Sequence, residues 1–201
     1  MKKKTITICL VIMLLAIGIA GGSLAYFTDN DSAANTFTVG NVDIDLLEPS
    51  WDGDGNGQQI ADPGVAVAKD PYVKNVGKND AWIRVNVTVS EAAAFKTAMA
   101  AHNLTDLNAI FGGHPAGDWT LAGTSEDSEK DTITYSYYYN QILPSGSSTS
   151  YLFTTVTLPA QFTNEDVKAM GGDFVITVTA DAIQSNGFDT VEAAFKAFDG
   201  E

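Results

Sequence analysis

The sequence is poor in the side chains that cross-linking and catalysis use most. Cysteine occurs once, at Cys9, and histidine twice, at His102 and His114. A single cysteine builds neither an intrachain disulfide framework nor a multi-thiolate metal site. The two histidines do not belong to an H-E-x-x-H pair, which sets two ligands one helical turn apart with a general base between them. His102 instead fits the edge of an apolar helix face, and His114 fits a loop. A G-x-S-x-G elbow, a phosphate-cradling glycine loop and a dinucleotide fingerprint are also missing. Cations are scarce as well: 11 Lys and Arg stand against 25 Asp and Glu, for a net charge of −14. Nucleic-acid binding needs clustered Lys and Arg to displace counterions, so nucleic acid is not expected as a partner.

What the chain does have is apolar surface. Hydrophobic residues make up 45% of its 201 positions, with aromatics spread along the length, which excludes a disordered chain. Lys2, Lys3 and Lys4 precede an apolar run from Ile6 to Ala20, the order of a signal-peptide n-region and core. Ser23 and Ala25 supply the small residues that a signal peptidase reads. Cleavage is therefore expected between Ala25 and Tyr26, leaving residues 1–25 as signal peptide and contact with the membrane only before that step. An uncleaved N-terminal anchor is the alternative. Removal of 25 residues leaves 176, takes Cys9 away and moves the net charge from −14 to −17. A chain of that size buries roughly 70% of its unfolded surface and needs no covalent staples.

The mature chain, residues 26–201, reads mainly as strands and as one domain. In Trp82–Ser90, Ile83, Val85, Val87 and Val89 share one face while Trp82, Arg84, Asn86 and Thr88 share the other. Phe174–Ile183 alternates in the same way. Such alternation marks strands with one face on a core and one on water. Further strands are expected at Phe37–Leu47, Val65–Asn75, Thr132–Gln141 and Ser150–Leu158, with a bulge or bend at Gly40-Asn41. Ser90 can cap a helix over Glu91–His102, Thr163 a short one through Met170, and Asp189 with Glu192 a last one over Val191–Phe198. Gly112–Ala122 and Thr124–Lys130 read as a surface excursion. The pattern predicts a mainly β, antiparallel β-sandwich with a few short helices in its connections.

One segment suggests a ligand. Asp52, Asp54 and Asn56, followed by Gly57, match the first positions of a calcium loop, where alternate oxygens converge on one centre. The twelfth position is Pro63 instead of a bidentate Glu, which favours a plain Gly/Asp turn between strands; no cofactor is required, and calcium remains the alternative. The run Tyr135, Tyr137, Tyr138, Tyr139 reads as a strand packing both faces, not as a ligand platform. The triplets Asn86-Val87-Thr88 and Asn103-Leu104-Thr105 carry little information.

Several stretches together resemble the TasA/camelysin family, exported proteins of Gram-positive bacteria matured by a dedicated SipW-type signal peptidase. They begin with Gly21-Gly22-Ser23-Leu24-Ala25-Tyr26-Phe27-Thr28-Asp29 and Asn35-Thr36-Phe37-Thr38-Val39-Gly40-Asn41-Val42-Asp43-Ile44. Lys69-Asp70-Pro71-Tyr72-Val73-Lys74-Asn75 and Asn79-Asp80-Ala81-Trp82-Ile83-Arg84-Val85 look like the family's sheet strands. Tyr138-Tyr139, Leu143-Pro144-Ser145-Gly146, Leu152-Phe153 and Ala180-Asp181-Ala182-Ile183-Gln184 are similar again. The resemblance implies a jelly-roll domain and a structural role in extracellular fibres of the biofilm matrix, secreted or held at the cell surface. Its partners would be further copies of the chain and other matrix proteins. Tyr26–Phe37, with Tyr26, Phe27 and Phe37 near its ends, can then serve as an assembly strand added to the next subunit, or lie on its own domain as an edge strand. Some members are described as metalloendopeptidases; the residues supply no zinc motif for that, and the chain reads as a non-enzyme. Two alternatives stand beside the fibre subunit. One is a camelysin-like metallopeptidase with His102 or His114 among its ligands, the other a monomeric adhesin or assembly accessory. Covalent wall anchoring is not expected from the C-terminal residues.

Overall fold

A computed structural model describes residues 38–39, 42–52, 62–171 and 174–200. Strands β1 (Thr38–Val39), β5 (Ala81–Val89), β7 (Trp119–Asp127), β8 (Thr132–Tyr139) and β10 (Ile176–Gln184) form a five-stranded sheet in the order β1-β10-β5-β8-β7. Strands β3 (Ala66–Ala68), β6 (Phe111–Gly112) and β9 (Thr155–Thr157) form a second sheet, with β9 in the middle. Strands β2 (Ile44–Leu47) and β4 (Tyr72–Asn75) pair as a third. Every pairing is antiparallel except β1 on β10, which is parallel. Helices α1 (Pro49–Asp52), α2 (Ala92–Ala101), α3 (Asn164–Ala169) and α4 (Val191–Asp199) are short, and a 3₁₀ turn covers Leu107–Ile110. The chain is mainly β, with sheets packed as a sandwich.

The expected alternation carries the core. On β5, Ile83, Val85, Val87 and Val89 are buried; on β8, Ile133, Tyr135, Tyr137 and Tyr139; on β10, Val178, Ala180 and Ala182. These inner faces pack with Phe111, Val156, Val73, Ile44 and the α2 residues Phe95 and Met99 in one cluster. The tyrosine run therefore divides: three rings point inward, and Tyr138 points out. Thr38–Val39 and Ile44–Leu47 belong to different sheets, where a single bent strand was expected; Gly40-Asn41 lies outside the described residues.

Further expectations need correction. Val65–Asn75 is not one strand but two, β3 and β4, in different sheets, and Ser150–Leu158 narrows to β9. The excursion expected over Gly112–Lys130 contains the nine-residue strand β7, which the sequence conceals because Thr120 to Glu126 are all exposed and no burial period marks them. Ser90 does not cap α2: its hydroxyl accepts from the Val175 N–H at 2.8 Å. The N-cap is Glu91 at φ +53°, and Asp131 from the β7–β8 turn does the capping. Its carbonyl accepts from Ala92 N–H at 3.1 Å and its Oδ1 from Ala93 N–H at 2.9 Å. Thr190, not Asp189, caps α4, accepting from Ala193 N–H. Thr163 caps α3 as expected, in a full capping box with Asp166. Lastly, the outer face of the five-stranded sheet is not all open to water. At one end α4 covers it, burying Val191, Ala194 and Phe195 against Trp82 and Ile183, with Tyr138 stacked on Phe195 at 5.4 Å and 11°.

Candidate functional site

The stretches that carry the family resemblance hold the places where the fold is locked. Lys69, 2% exposed, reaches Glu48 with Nζ at 2.8 Å from Oε1 and 2.9 Å from Oε2. Its neighbour Asp70 turns back on α1, where the backbone N–H and the hydroxyl of Ser50 donate to its two oxygens at 2.8 Å each. A buried ammonium and a buried carboxylate side by side are tolerated because each has its own partner. Tyr72 packs edge-on against Tyr151. Asn75 is fully buried and satisfied on both ends of its amide: Nδ2 donates to the carbonyls of Asn79 and Leu143, and Oδ1 accepts from Gly77 N–H. Asp80 Oδ1 accepts from Ser145 N–H, and the Ser145 hydroxyl donates to the Gly77 carbonyl, fastening the turn that contains Gly146 at φ +77°. These are structural roles, not catalytic ones.

The densest polar constellation lies on the outer face under α4, and the sequence reading missed it. Arg84 donates through Nε to Asp181 Oδ2 at 2.9 Å and through both terminal nitrogens to the two oxygens of Asp199, at 2.7 and 3.0 Å. Its guanidinium also lies 4.6 Å from the Phe195 ring centre and 5.4 Å from that of Phe198. Asn86 donates to Asp181 Oδ2 at 3.0 Å, and Ser136 to Asn86 Oδ1 at 2.7 Å, extending the chain of bonds across β10, β5 and β8. Burial lowers the Arg84 pKa, but the two carboxylates outweigh this and hold it above its ordinary value. Arg84 is the chain's one arginine. Its place on the polar face of a strand was the available signal.

Among the described residues the two histidines lie in separate settings and gather no metal centre. His102, just past α2, has Nε2 2.9 Å from Asp166 Oδ2 and its ring beside Phe162. That same oxygen accepts from the N–H and the hydroxyl of Thr163. The bond from His102, then those from Thr163, lower the Asp166 pKa to about 2. His114 lies in a different setting, beside Tyr137 and Phe153. Among the described residues no three His, Cys, Asp or Glu side chains gather as a metal would need. A catalytic zinc takes three protein ligands and an open position, and the described donors do not fit that set. Asp52 closes α1, but its side chain and residues 53–61, with Asp54 and Asn56, lie outside the described residues. So do Ala25, Tyr26, Phe27 and Phe37. A largely apolar groove of about 570 Å³, lined by Met99, Leu104, Ala109, Leu158 and Pro159, gathers no reactive set; Asp106 at its rim is engaged by Asn108 N–H. Burial raises the pKa of Tyr135 and Tyr137, and Tyr137 donates its hydroxyl to Asn108, so both stay protonated.

The sheet edges are the remaining feature. At one edge β10 is paired with β5 along its whole length, but with β1 only through Thr38↔Ala182 and Val39↔Ile183. Among the described residues, Ile176–Asp181 therefore have a backbone edge with no strand on it. At the other edge β7, among the described residues, pairs with β8 alone, through a register shift between Leu121 and Gly123.

The described residues define a mainly β, sandwich-type domain. Residues 1–101 match the camelysin metallo-endopeptidase family, and the chain belongs to that family. The matched half includes the signal-like region, the Lys69–Asn75 and Asn79–Val85 stretches and α2; the later similar stretches lie beyond it. No curated protein matches the chain.

Proposed function

We propose that the protein is a secreted structural subunit of extracellular matrix fibres, assembling by strand exchange between copies. The observation that supports this best is the partly filled edge of β10. Thr38↔Ala182 and Val39↔Ile183 fix a parallel register. A strand continued backwards in that register would run along Ile176–Asp181. The segment freed by cleavage at Ala25-Tyr26 therefore has the length to fill the edge, either in its own subunit or in the next one. Addition to the next subunit is head to tail and does not close, so it generates a filament. A SipW-type signal peptidase would release the segment from the membrane, and other matrix proteins would be further partners.

The test compares chains starting at Tyr26 and at Thr38, by electron microscopy at pH 7 and pH 5. Filaments from the first and folded protein without filaments from the second are the expected result. The same filaments from both would rule out strand donation. N-terminal sequencing of exported protein should return Tyr26; Gly21 or Met1 would refute the cleavage site. Calorimetry with calcium, and with Asp52→Ala plus Asp54→Ala, decides whether Asp52, Asp54 and Asn56 bind the ion.

The family's description supports a second reading, a cell-surface metalloendopeptidase using His102 or His114. Casein cleavage abolished by chelator and by His102→Ala or His114→Ala would establish it over the first.

A further inference from the structure

The edge strand β7 differs from the rest of the surface in its charge. The chain carries 25 acidic residues, yet Trp119–Ser125 holds seven consecutive uncharged ones, and Thr120 through Ser125 are all exposed. The acids that follow are neutralised. Glu126 meets Lys96 Nζ at 2.5 Å, and Asp127 meets Lys130 at 3.1 Å. Two of the eight cations beyond residue 4 are thus placed at the end of this one strand. Proline and lysine, which natural edges use to block pairing, are absent from the run. The neutral character continues inward over the sheet. Thr177, Thr88, Thr134 and Ser125 stand in one cross-strand row, and Thr179, Asn86, Ser136 and Gly123 in the next.

We infer that β7 is a docking edge for a second copy of this chain, joined antiparallel about a two-fold axis at Ala122. Charge identifies the occupant. Two molecules of net charge −14 repel over most of their surfaces, and the neutral run lets them approach without burying unpaired charge. Symmetry agrees. The run is centred on Ala122, where the β7 register shifts against β8. A bulged edge mismatches a regular strand, but a copy turned through the two-fold presents the same irregularity at the same place. In that register Trp119 lies across from Ser125, Thr120 from Thr124 and Leu121 from Gly123. Asp118 comes opposite Glu126, whose charge Lys96 already offsets. The contact is isologous and closes as a pair, so it is separate from head-to-tail strand donation and would tie filaments side by side.

The experiment uses the purified protein, with Tyr26–Phe37 unaltered throughout. Below the concentration at which filaments form, sedimentation velocity should show a concentration-dependent dimer that Leu121→Glu with Ser125→Glu weakens at least about tenfold. Both side chains are exposed, and an unchanged melting temperature confirms that the variant folds. In the chain starting at Tyr26, which holds no cysteine, Ala122→Cys should form an intermolecular disulfide on mild oxidation, because the axis brings the two Cβ atoms within bonding reach. Val175→Cys, also exposed but away from β7, should not. Undiminished association of the double-Glu variant, or pairing at 122 no faster than at 175, overturns the inference.

Discussion

Arg84 binds two carboxylates and two aromatic rings at once, and its removal tests whether that concentration of contacts matters. Arg84→Ala leaves Asp181, 9% exposed, without its cation and removes the anchor of Asp199. A destabilisation of about 2 kcal/mol is expected, the range for hydrogen bonds to partly exposed charged groups. Arg84→Lys should recover less than half, because an ammonium cannot bind Asp199 in the forked geometry while also reaching Asp181. Urea unfolding of the two variants measures both values. Asn75→Ala should cost about 3 kcal/mol by the same assay, since it strips buried carbonyls at two turns of their donor. Asp166 sets a pH dependence. Its folded pKa, about 2, lies below the ordinary 3.8, held there by His102 and then Thr163. A depressed carboxylate adds stability that is complete above the unfolded value and lost as pH falls through the folded one. The melting-temperature gap between the unsubstituted chain and Asp166→Asn should be full above about pH 5 and close towards pH 2. A gap constant over that range would show that His102 and Thr163 do not hold the charge.

Elements were legible where one face was dry and the other wet. β8 alternates strictly and β5 does so from Ile83 onward, because the same core presses on every second residue; β10 buries Ala180–Ile183 in a row, since α4 covers its outer side at Ile183. The inward set of β5 was read correctly from residue order, as were Val178 and Ala180 on β10. β7 was illegible for the opposite reason. It is held by backbone bonds to β8 and buries little, so its side chains carry no period. The α2 cap was misread because the capping group is 38 residues away, on Asp131. Local rules assign caps to the preceding residue, and Ser90 had already given its hydroxyl to Val175. The same geometry yields a prediction. Glu91 sits at φ +53° with no cap of its own, a conformation that costs a side-chain-bearing residue about 1 kcal/mol more than glycine. Glu91→Gly should therefore be neutral or stabilising by up to about 0.5 kcal/mol, despite glycine's looser unfolded state. Asp131→Ala should cost about 1 kcal/mol through the lost cap. Thermal melts of both variants check the pair, and a strongly destabilised Glu91→Gly would show that the left-handed residue is not strained. The candidate site was legible only in part. The resemblance identified the Lys69–Asn75 and Asn79–Val85 stretches, but their long-range partners Glu48, Ser145, Asp181 and Asp199 are not deducible from spacing.

For the whole molecule, net charge governs how copies meet. Without residues 1–25 the net charge is −17 and the chain repels itself, and that repulsion is screened over about 8 Å at physiological salt and about 3 Å at 1 M. Strand addition at β10 and edge pairing at β7 are both short-range contacts made after two acidic bodies have approached. Backbone hydrogen bonds and apolar contacts depend weakly on salt, whereas the approach depends on it strongly. Raising salt from about 0.05 to 0.5 M should therefore speed assembly several-fold without changing filament form. Lowering pH from 7 to 5 should act in the same direction but more weakly. Ordinary carboxylates titrate near pH 4, so at pH 5 only a minor share of the 25 acids is neutralised. Asp166 keeps its charge throughout that interval, so its bond to His102 is not lost to its own protonation while the repulsion falls. Light scattering across salt and pH, with electron microscopy of the products, separates the two contacts. A chain starting at Thr38 should lose filaments under every condition, while the double-Glu variant at β7 should keep single filaments and lose their lateral association. Assembly that slows as salt rises would mean that attraction between unlike charges, and not the neutral edges, brings the copies together.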